Sequence, residues 1–277
     1  MALPNSGPLS ISQINGEFPK PPAPYSLSKY YGVAAGIPTG GPISISQFYG
    51  KANVFVLNIN ASVASPDIRQ LAVNAGWNGT SPVLVNFNCP LVNTLSFTTA
   101  MSFPNGLTLN ISQNCLVGGV LQSSGNSSAI YTRIPLTINN LGTINGSGGF
   151  GGEGGSSSWT YLTSSGFANG GSGGQGQGFR DTNSLIVSPN LGGSNGEYSE
   201  YRGGTLGDNT APWALGGEGG TGGTWGIAGG AGSSSSSGGT GGGPTYSGSS
   251  GQPPGYYVDG NSFITWQTTG TRKGRVI

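Results

Sequence analysis

Histidine is absent from the 277 residues of this sequence, and charged residues make up only 7% of it. Without histidine the chain cannot form a Ser–His–Asp triad or supply the imidazole ligand of many zinc sites. Ten basic residues against nine acidic ones give a net charge of +1, which offers no electrostatic footprint for nucleic acid. These absences predict a protein that is not an enzyme, uses no cofactor or metal and binds no nucleic acid.

Long apolar runs are also missing. The longest, Val54-Phe55-Val56-Leu57, is far shorter than the roughly 20 residues of a membrane-spanning helix. The start of the chain, Met1-Ala2-Leu3-Pro4, lacks the basic residues and apolar run of a secretory signal. We therefore expect synthesis in a cytoplasm, no membrane insertion, and two cysteines, Cys89 and Cys115, that stay buried and unpaired.

Glycine, in contrast, is abundant, with 55 residues that lie mostly in runs between positions 146 and 255. Two motifs of enzymes, one for dinucleotide binding and one for serine hydrolysis, are matched in these runs only because glycine is so frequent. Residues 146–151 satisfy G-x-G-x-x-G outside any βαβ unit, and residues 170–174 satisfy G-x-S-x-G in a chain without a histidine base. Glu197 and Glu200 are the nearest pair of carboxylates that could act on a glycan, and solvated loop acids are the simpler interpretation.

Three copies of one short pattern lie near the start of the chain. Each alternates serine with apolar residues and ends in glycine, and the copies occupy 10–16, 26–32 and 44–50. One copy is too short to bury a core by itself. The proline-rich link at 19–24 should be extended and stiff, because proline fixes φ and removes backbone donors. Residues 1–51 are therefore predicted to be an attachment segment that lies along another protein.

Residues 52–145 are predicted to form a small β module with one helix near 66–75. Residues 54–59 are rich in β-branched and aromatic side chains, as strands are. Ser65 is a suitable N-cap, Pro66 suits the first helical position and Gly76 can end the helix in the left-handed conformation. The fold class expected for the whole chain is mostly β and irregular.

The glycine runs of 146–277 have two interpretations. A flexible Gly/Ser linker is one. The other is a sandwich of polyglycine-II helices, which have three residues per turn and no internal hydrogen bonds, so that neighbouring helices must bond to one another. Tryptophan and tyrosine between the runs, and a strand-like segment at 261–266 after them, favour the ordered sandwich.

Three segments resemble those of known phage proteins. ISISQFYGK at 43–51 is similar to the amino-terminal segments of phage tail-fibre and tail-tip proteins, and the helix followed by GWNGTSP at 76–82 resembles a module of glycine-rich tail proteins. INNLGTINGSGGFGGEGG at 138–155 resembles the entry to the glycine-rich domain of distal tail-fibre adhesins from T-even-like phages. The resemblance implies a virion tail protein that grips a tail or tail-fibre protein through residues 1–51 and binds a bacterial outer-surface protein or glycan through loops of 146–277.

Aromatic side chains between the glycine runs are the candidate receptor contacts, because rings offer large contact area at small entropy cost. The candidates are Trp159, Tyr161, Phe179, Tyr198, Tyr201, Arg202 and Trp213. Two other functions remain open at this point. A structural tail component would use the glycine-rich region as a stiff spacer, and an ice-binding protein would need a period of three that the bulky insertions interrupt.

Overall fold

A computed structural model describes residues 3–19, 26–34, 36–51, 53–121, 128–200 and 211–277. Its described parts are mostly β, as predicted, with two α-helices: α1 (Ile11–Glu17) and α2 (Ile68–Asn74). Three 3₁₀ helices span Leu27–Tyr30, Ile45–Phe48 and Asn261–Phe263. The strands are, in chain order, β1 (Phe55–Ile59), β2 (Val63–Ala64), β3 (Val83–Phe87), β4 (Leu91–Asn93), β5 (Leu95–Phe97), β6 (Leu107–Ile111), β7 (Leu116–Gly118), β8 (Ser128–Thr132), β9 (Leu136–Asn140), β10 (Thr143–Asn145), β11 (Ser157–Tyr161), β12 (Ser164–Ala168), β13 (Gly178–Phe179), β14 (Val187–Ser188), β15 (Tyr198–Glu200), β16 (Trp213–Leu215), β17 (Ser236–Gly238), β18 (Gly242–Thr245), β19 (Tyr256–Asp259), β20 (Ile264–Thr268), β21 (Thr271–Lys273) and β22 (Arg275–Val276).

The three repeats of the N-terminal segment each form one short helix. In the first and third copies the leading serine donates its backbone N–H to a glutamine three residues later, Ser10 to Gln13 at 2.7 Å and Ser44 to Gln47 at 2.8 Å. This reciprocal capping begins a helix even in so short a segment. The fifth residue of every copy is fully buried, and these residues are Ile14, Tyr30 and Phe48.

Hydrogen bonds also link the copies in a cyclic order, and Tyr30 Oη of the second copy donates to Asn15 Oδ1 of the first at 2.8 Å. Gly32 of the second copy donates to Pro38 O, just before the third copy, at 2.9 Å. Gly50 of the third copy donates to Pro4 O, before the first, at 3.0 Å. Together with Leu3, Phe18 and Ile37 the copies enclose a hydrophobic cluster of their own. Three units therefore bury jointly what one copy cannot bury by itself.

Residues 53–145 wind into a parallel β-solenoid with three sheets. The first coil contributes β1 and β2, and each later coil adds one strand to every sheet. The orders are β1-β3-β6-β9-β20, β2-β4-β7-β10-β21 and β5-β8-β19-β22, and all of these pairs are parallel. Inward residues stack in register from coil to coil. One such row contains Leu57, Val85, Leu109, Ile138 and Trp266. These strands alternate inward and outward residues, as the burial of Leu107–Ile111 shows, because one face of each sheet lines the core and the other lies at the surface.

An asparagine ladder runs along the outer face of the first sheet. Asn86 Nδ2 donates to Asn58 Oδ1 at 2.8 Å, and Asn110 Nδ2 donates to Asn86 Oδ1 at 2.9 Å. The stacking of equivalent positions in successive coils puts each amide within reach of the next. The ladder satisfies side-chain polar groups while leaving the inward positions apolar.

Helix α2 lies in the first coil and buries Ile68 and Ala72 against the core. Its N-cap is Asp67, whose side chain accepts from Gln70 N at 2.9 Å, and not the predicted Ser65. Ser65 has a φ of 42°, in the left-handed region, whereas an N-cap residue needs extended backbone. Gly76 follows the helix with a φ of 95°, as predicted for its C-terminal glycine.

The glycine-rich region is an insertion in the solenoid. The chain leaves the fourth coil after β10, and it returns as β19, which pairs with β8 and completes that coil. Strands β20 and β21 then pair with β9 and β10, and β22 pairs with β19. Residues 256–277 thus complete the interrupted coil and add the final one, which differs from the predicted domain 146–277. Strand-like sequence shows that a segment can pair, but it does not show which distant strand it joins.

Six extended runs make up the insertion, named G1 (147–156), G2 (169–178), G3 (191–197), G4 (216–224), G5 (227–235) and G6 (246–255). Backbone hydrogen bonds between neighbouring runs recur every three residues. For example, Gly148, Gly151 and Gly154 of G1 donate to the carbonyl oxygens of Gln177, Gly174 and Gly171 in G2 at 2.7–2.9 Å. The same spacing links G1 to G5, G2 to G4 and G3 to G4. By these bonds G2, G1 and G6 form one layer, and G3, G4 and G5 form the other.

Glycine is required at the contacts between runs. A Cβ on Gly151 would lie 2.0 Å from the carbonyl oxygen of Gly220, and a Cβ on Gly154 would lie 2.0 Å from that of Gly217. No side chain fits at such a distance. The runs can therefore approach closely enough to exchange backbone hydrogen bonds only because they lack side chains there.

Candidate functional site

Successive runs are antiparallel, so the connections between them alternate between two ends of the bundle. The connections 179–190 and 225–226 lie at the end next to the solenoid, which we call the base. The other three connections leave the bundle at the opposite end. Their described residues, 157–168, 198–200, 211–215 and 236–245, are called the tip from here on.

The tip contains two small antiparallel sheets, β12-β11-β18 and β15-β16-β17. Trp159, Ala168 and Ala214 are buried between them, with Tyr161 packed against this cluster. Glycines allow the close packing of rings: a Cβ on Gly166 would lie 2.3 Å from Nε1 of Trp159. The indole N–H of Trp159 is directed at Ser199 Oγ, 3.2 Å away. Strands of the first two connections thus share one small core, and β17 and β18 of the third connection pair with them.

Ser157 joins the three connections at the bottom of the tip. Its hydroxyl lies 3.0 Å from the carbonyl oxygen of Leu215 and 2.9 Å from that of Ser236. The side chain is fully buried. Beside it, Ser235 Oγ lies 2.6 Å from the carbonyl oxygen of Ser156. These side-chain bonds hold the loops on the ends of the runs and limit their movement.

The tip contains most of the predicted receptor residues, with differing exposure. Tyr198 is 59% exposed, and its hydroxyl donates to Glu200 Oε2 at 3.0 Å. Tyr161 and Trp213 are half-buried. Trp159 is buried in the tip core, so the expectation that it contacts a receptor is wrong in this structure; its area stabilises the tip instead. Tyr201 and Arg202 lie outside the described residues.

Phe179 is a second correction, because it lies at the base and is fully buried. Its backbone N–H donates to Gly119 O at 3.1 Å, and its carbonyl accepts from Leu121 N at 2.8 Å. Its ring packs against that of Trp225. Phe179 therefore joins the glycine bundle to the solenoid and offers no surface to a receptor.

Several exposed side chains of the tip and its margin were not predicted. They are Leu162, Phe167, Leu215 and Tyr246, with exposed fractions between 40% and 82%. The sequence does contain a pattern that indicates exposure of Leu162 and Phe167. Residues 157–168 read as two strands joined by a two-residue turn, which would place Leu162 at the apex and alternate side chains outward.

Charged groups contribute little to the tip. Glu200 is the only charged residue among its described members. Glu197, at the end of G3, accepts from the backbone N–H and the side-chain amide of Asn169 at 3.0 and 2.8 Å. The two carboxylates considered for glycan chemistry are therefore each engaged by a different partner. Within the described ranges, no three His, Cys, Asp or Glu side chains are grouped so as to hold a metal ion.

The two thiols lie inside the solenoid, far along the chain from the tip. Both are free and buried. Burial raises the pKa of Cys115 to about 12, and the neighbouring Cys89 adds to the rise. Burial also raises the pKa of Cys89. Neither thiol has the lowered pKa of a nucleophilic cysteine. Of the helices in the described residues, none is long and apolar enough to span a membrane.

A family model described as phage tail fibre adhesin Gp38 matches residues 54–277. The chain belongs to the Gp38 tail fibre adhesin family. The match covers the solenoid and the whole glycine-rich insertion, and it confirms the resemblance to tail-fibre adhesins. As a Gp38 adhesin, the chain is a component of a phage virion tail with a receptor-binding role. The family is one of binding proteins.

One solved structure is also similar to this Gp38 adhesin. It is the crystal structure of the gp37-gp38 adhesin tip complex of the bacteriophage S16 long tail fiber, at 22% identity. The match covers 99% of this chain and 100% of that one, with a TM-score of 0.46. Among curated proteins, no significant match is found.

Proposed function

We propose that this adhesin binds a bacterial outer-surface protein or glycan through its tip, and a phage tail or tail-fibre protein through residues 1–51. One observation carries the receptor-binding half of the proposal. The first two connections at the tip share a small core, the third pairs its strands with theirs, and large side chains point outward, among them Tyr198, Phe167 and Leu162. Contiguous exposed apolar groups on a rigid support are characteristic of interaction sites.

The bundle would serve the tip as a rigid support. We propose that G1–G6 form a polyglycine-II sandwich. The three-residue period of their lateral hydrogen bonds supports this, since that helix has three residues per turn and points its backbone groups outward. Ordering glycine costs more backbone entropy than ordering any other residue, so the bundle must form as one cooperative unit. A support of this kind presents loops in a fixed arrangement, which lowers the entropy cost of binding.

Attachment through residues 1–51 is supported by the cyclic arrangement of the three repeats. Each copy carries a hydroxyl pair on its exposed surface, Ser10 with Ser12 at 3.1 Å, Ser26 with Ser28 at 2.9 Å and Ser44 with Ser46 at 2.6 Å. Ile45, in the third copy, is 37% exposed. A compact unit with its own core can present this repeated surface to a tail protein while the solenoid and bundle extend away from it.

Receptor binding is tested with fluorescently labelled full-length chain added to a panel of bacteria that includes the host. Phe167→Ala and Tyr198→Ala should each weaken binding to host cells severalfold or more. Ile186→Ala is the matched control: it is 54% exposed, like Phe167 at 55% and Tyr198 at 59%, but it lies in a connection at the base. Unchanged binding by both tip variants, or an equal loss with Ile186→Ala, would contradict the assignment of the site to the tip.

Attachment is tested with virions that lack this chain and are incubated with the purified protein. Wild-type protein should restore infectivity. Ile45→Asp, in the third repeat, should abolish restoration because it places a charge in the docking surface, whereas Val56→Asp on the solenoid should not. Both residues are partly exposed in the free chain, at 37% and 47%. Full restoration of infectivity by a chain that combines Ile45→Asp with the corresponding substitutions in the other two repeats would rule out residues 1–51 as the attachment site.

A further inference from the structure

Leu162 is the most exposed large apolar side chain among the described residues, at 82%. It lies at the apex of the β11–β12 hairpin. The two strands pair antiparallel from Ser157 opposite Ala168 to Tyr161 opposite Ser164, which leaves Leu162 and Thr163 as the turn. The hairpin therefore projects a leucine into solvent from the end of the molecule farthest from the base.

The backbone at this position is unfavourable for leucine. Leu162 has a φ of 54°, and only two other non-glycine residues in the described chain have positive φ. Glycine is the usual residue there, because a Cβ crowds the following carbonyl in the left-handed region, and asparagine and aspartate are tolerated because their short side chains can hydrogen-bond locally. In a chain with 55 glycines, many of them in turns, glycine would be the expected choice at this apex.

Burial of the Leu162 side chain does not offset this cost. The side chain is almost fully exposed, so it gains little from burial, and it makes no contribution to the Trp159 cluster beneath it. Residues held in unfavourable backbone conformations are found mainly at functional sites. A side chain that lowers stability and serves no packing role is best explained by a contact that forms outside the free molecule.

The hairpin is well suited to make that contact. Five consecutive residue pairs hold its strands together, and Thr160 N on β11, the central strand of the sheet, also donates to Gly241 O of the third connection at 2.9 Å. The apex is therefore positioned before binding occurs. A rigid apolar knob that enters a fully desolvated pocket is the arrangement found at the energetic centres of protein interfaces.

We propose that Leu162 is the anchor of receptor binding and inserts into an apolar pocket of a protein on the bacterial surface. This rests on the proposed function and names the class of receptor. A leucine side chain has no hydrogen-bonding group for sugar hydroxyls and no ring on which a sugar face can stack. The tip also has a single charge among its described residues, Glu200, so burial of apolar surface is the main contribution it can make.

The test is Leu162→Gly in the full-length chain, because this change removes the side chain and the backbone strain together. We expect the melting temperature to stay the same or to rise, while affinity for host cells falls by about tenfold or more. Leu162→Met should keep most of the affinity, since it preserves apolar volume. Thr163→Ala is the neighbouring control, an exposed turn residue whose truncation should change affinity less than twofold.

Wild-type affinity in Leu162→Gly, or a large fall in its melting temperature, would overturn the proposal. Loss of binding by Phe167→Ala and Tyr198→Ala but not by Leu162→Gly would reject Leu162 while leaving the tip as the receptor site. Absence of binding by the wild-type chain would reject both. Protease treatment of the cells should abolish binding and periodate should not; the reverse result would exclude a protein receptor.

Discussion

The ring of Phe179 meets the indole of Trp225 edge-on, with centroids 5.7 Å apart and an interplanar angle of 68°. Both rings lie against Gly118 in the second sheet of the solenoid, where a Cβ would come within 2.7 Å of each of them. The two rings come from the two connections at the base, 46 positions apart in the chain. They form an apolar contact between a bundle of runs joined by backbone hydrogen bonds and a solenoid with a hydrophobic core of its own.

Phe179→Ala should therefore destabilise the protein by about 3–5 kcal/mol, the usual cost of emptying a buried phenylalanine site. Trp225 would lose its partner and the base would open toward solvent. Chemical denaturation of the full-length chain measures the effect. Ile186→Ala, in the same connection but exposed, should change the free energy of unfolding by no more than about 0.5 kcal/mol. Similar values for the two variants would mean that the base contact carries little stability.

Gly151→Ala should be far more damaging than a helix-propensity scale would suggest. Its Cβ would lie 2.0 Å from the carbonyl oxygen of Gly220, so G1 and G4 would have to separate and break hydrogen bonds along both runs. We expect a loss of at least about 3 kcal/mol or a failure to fold.

Gly192→Ala provides the matched control within the same bundle. No atom lies within 4 Å of a Cβ placed there, and its φ is not in the left-handed region. Alanine should be neutral or should stabilise by about 0.4–1 kcal/mol, because it restricts the unfolded chain. Equal thermal shifts for the two glycine variants would show that close approach of the runs does not determine stability.

Asp67→Ala should cost about 1 kcal/mol, because it removes the side-chain acceptor of Gln70 N at the start of α2. Ser65→Ala should not lower stability through loss of an N-cap hydrogen bond, since that bond is made by Asp67. Thermal unfolding of both variants separates the two assignments. A larger loss with Ser65→Ala than with Asp67→Ala would favour the cap predicted from the sequence.

The buried thiols make stability depend on alkaline pH. The folded-state pKa of Cys115, about 12, is above the ordinary value near 8.5 that the unfolded chain would show. The contribution of the Cys115 thiol to the free energy of unfolding is thus fully present below about pH 8.5. It is lost as pH rises from there toward 12, by at most about 1.4 kcal/mol per pH unit. Unfolding curves at pH 8 and pH 10 measure the loss, and Cys115→Ala should reduce it. An identical pH dependence in Cys115→Ala would assign the loss to other groups.

Local signals in the sequence were sufficient where the determinant is local. Gly76 has the positive φ expected after α2, and the helix lies within the predicted 66–75. The β-rich character of 53–145 and the family membership also follow from sequence. The position of the N-cap did not, because Pro66 and Asp67 offered two acceptable registers and tertiary packing placed Ser65 in the left-handed region.

Exposure of the aromatic residues was harder to predict. Trp159, Phe179 and Tyr198 occur in similar glycine- and serine-rich surroundings, yet the first is in the tip core, the second in the base and the third on the surface. Which end of the bundle a connection reaches depends on the direction of every run before it. That direction is a property of the assembled bundle and is not encoded near any one ring.

The sequence by itself determined the local elements of this adhesin: the capped helices of the repeats, the strands with their apolar inward positions, and the glycine-rich runs. The tertiary structure decided how these elements meet. It closed three repeats around one core, returned residues 256–277 to the solenoid beside β9 and β10, and gathered three connections into the tip. The physical reason lies in the range of the hydrogen bonds. Within a helix or turn they join residues close in sequence, whereas coils and runs are joined by backbone bonds between distant residues, in some cases more than 100 positions apart.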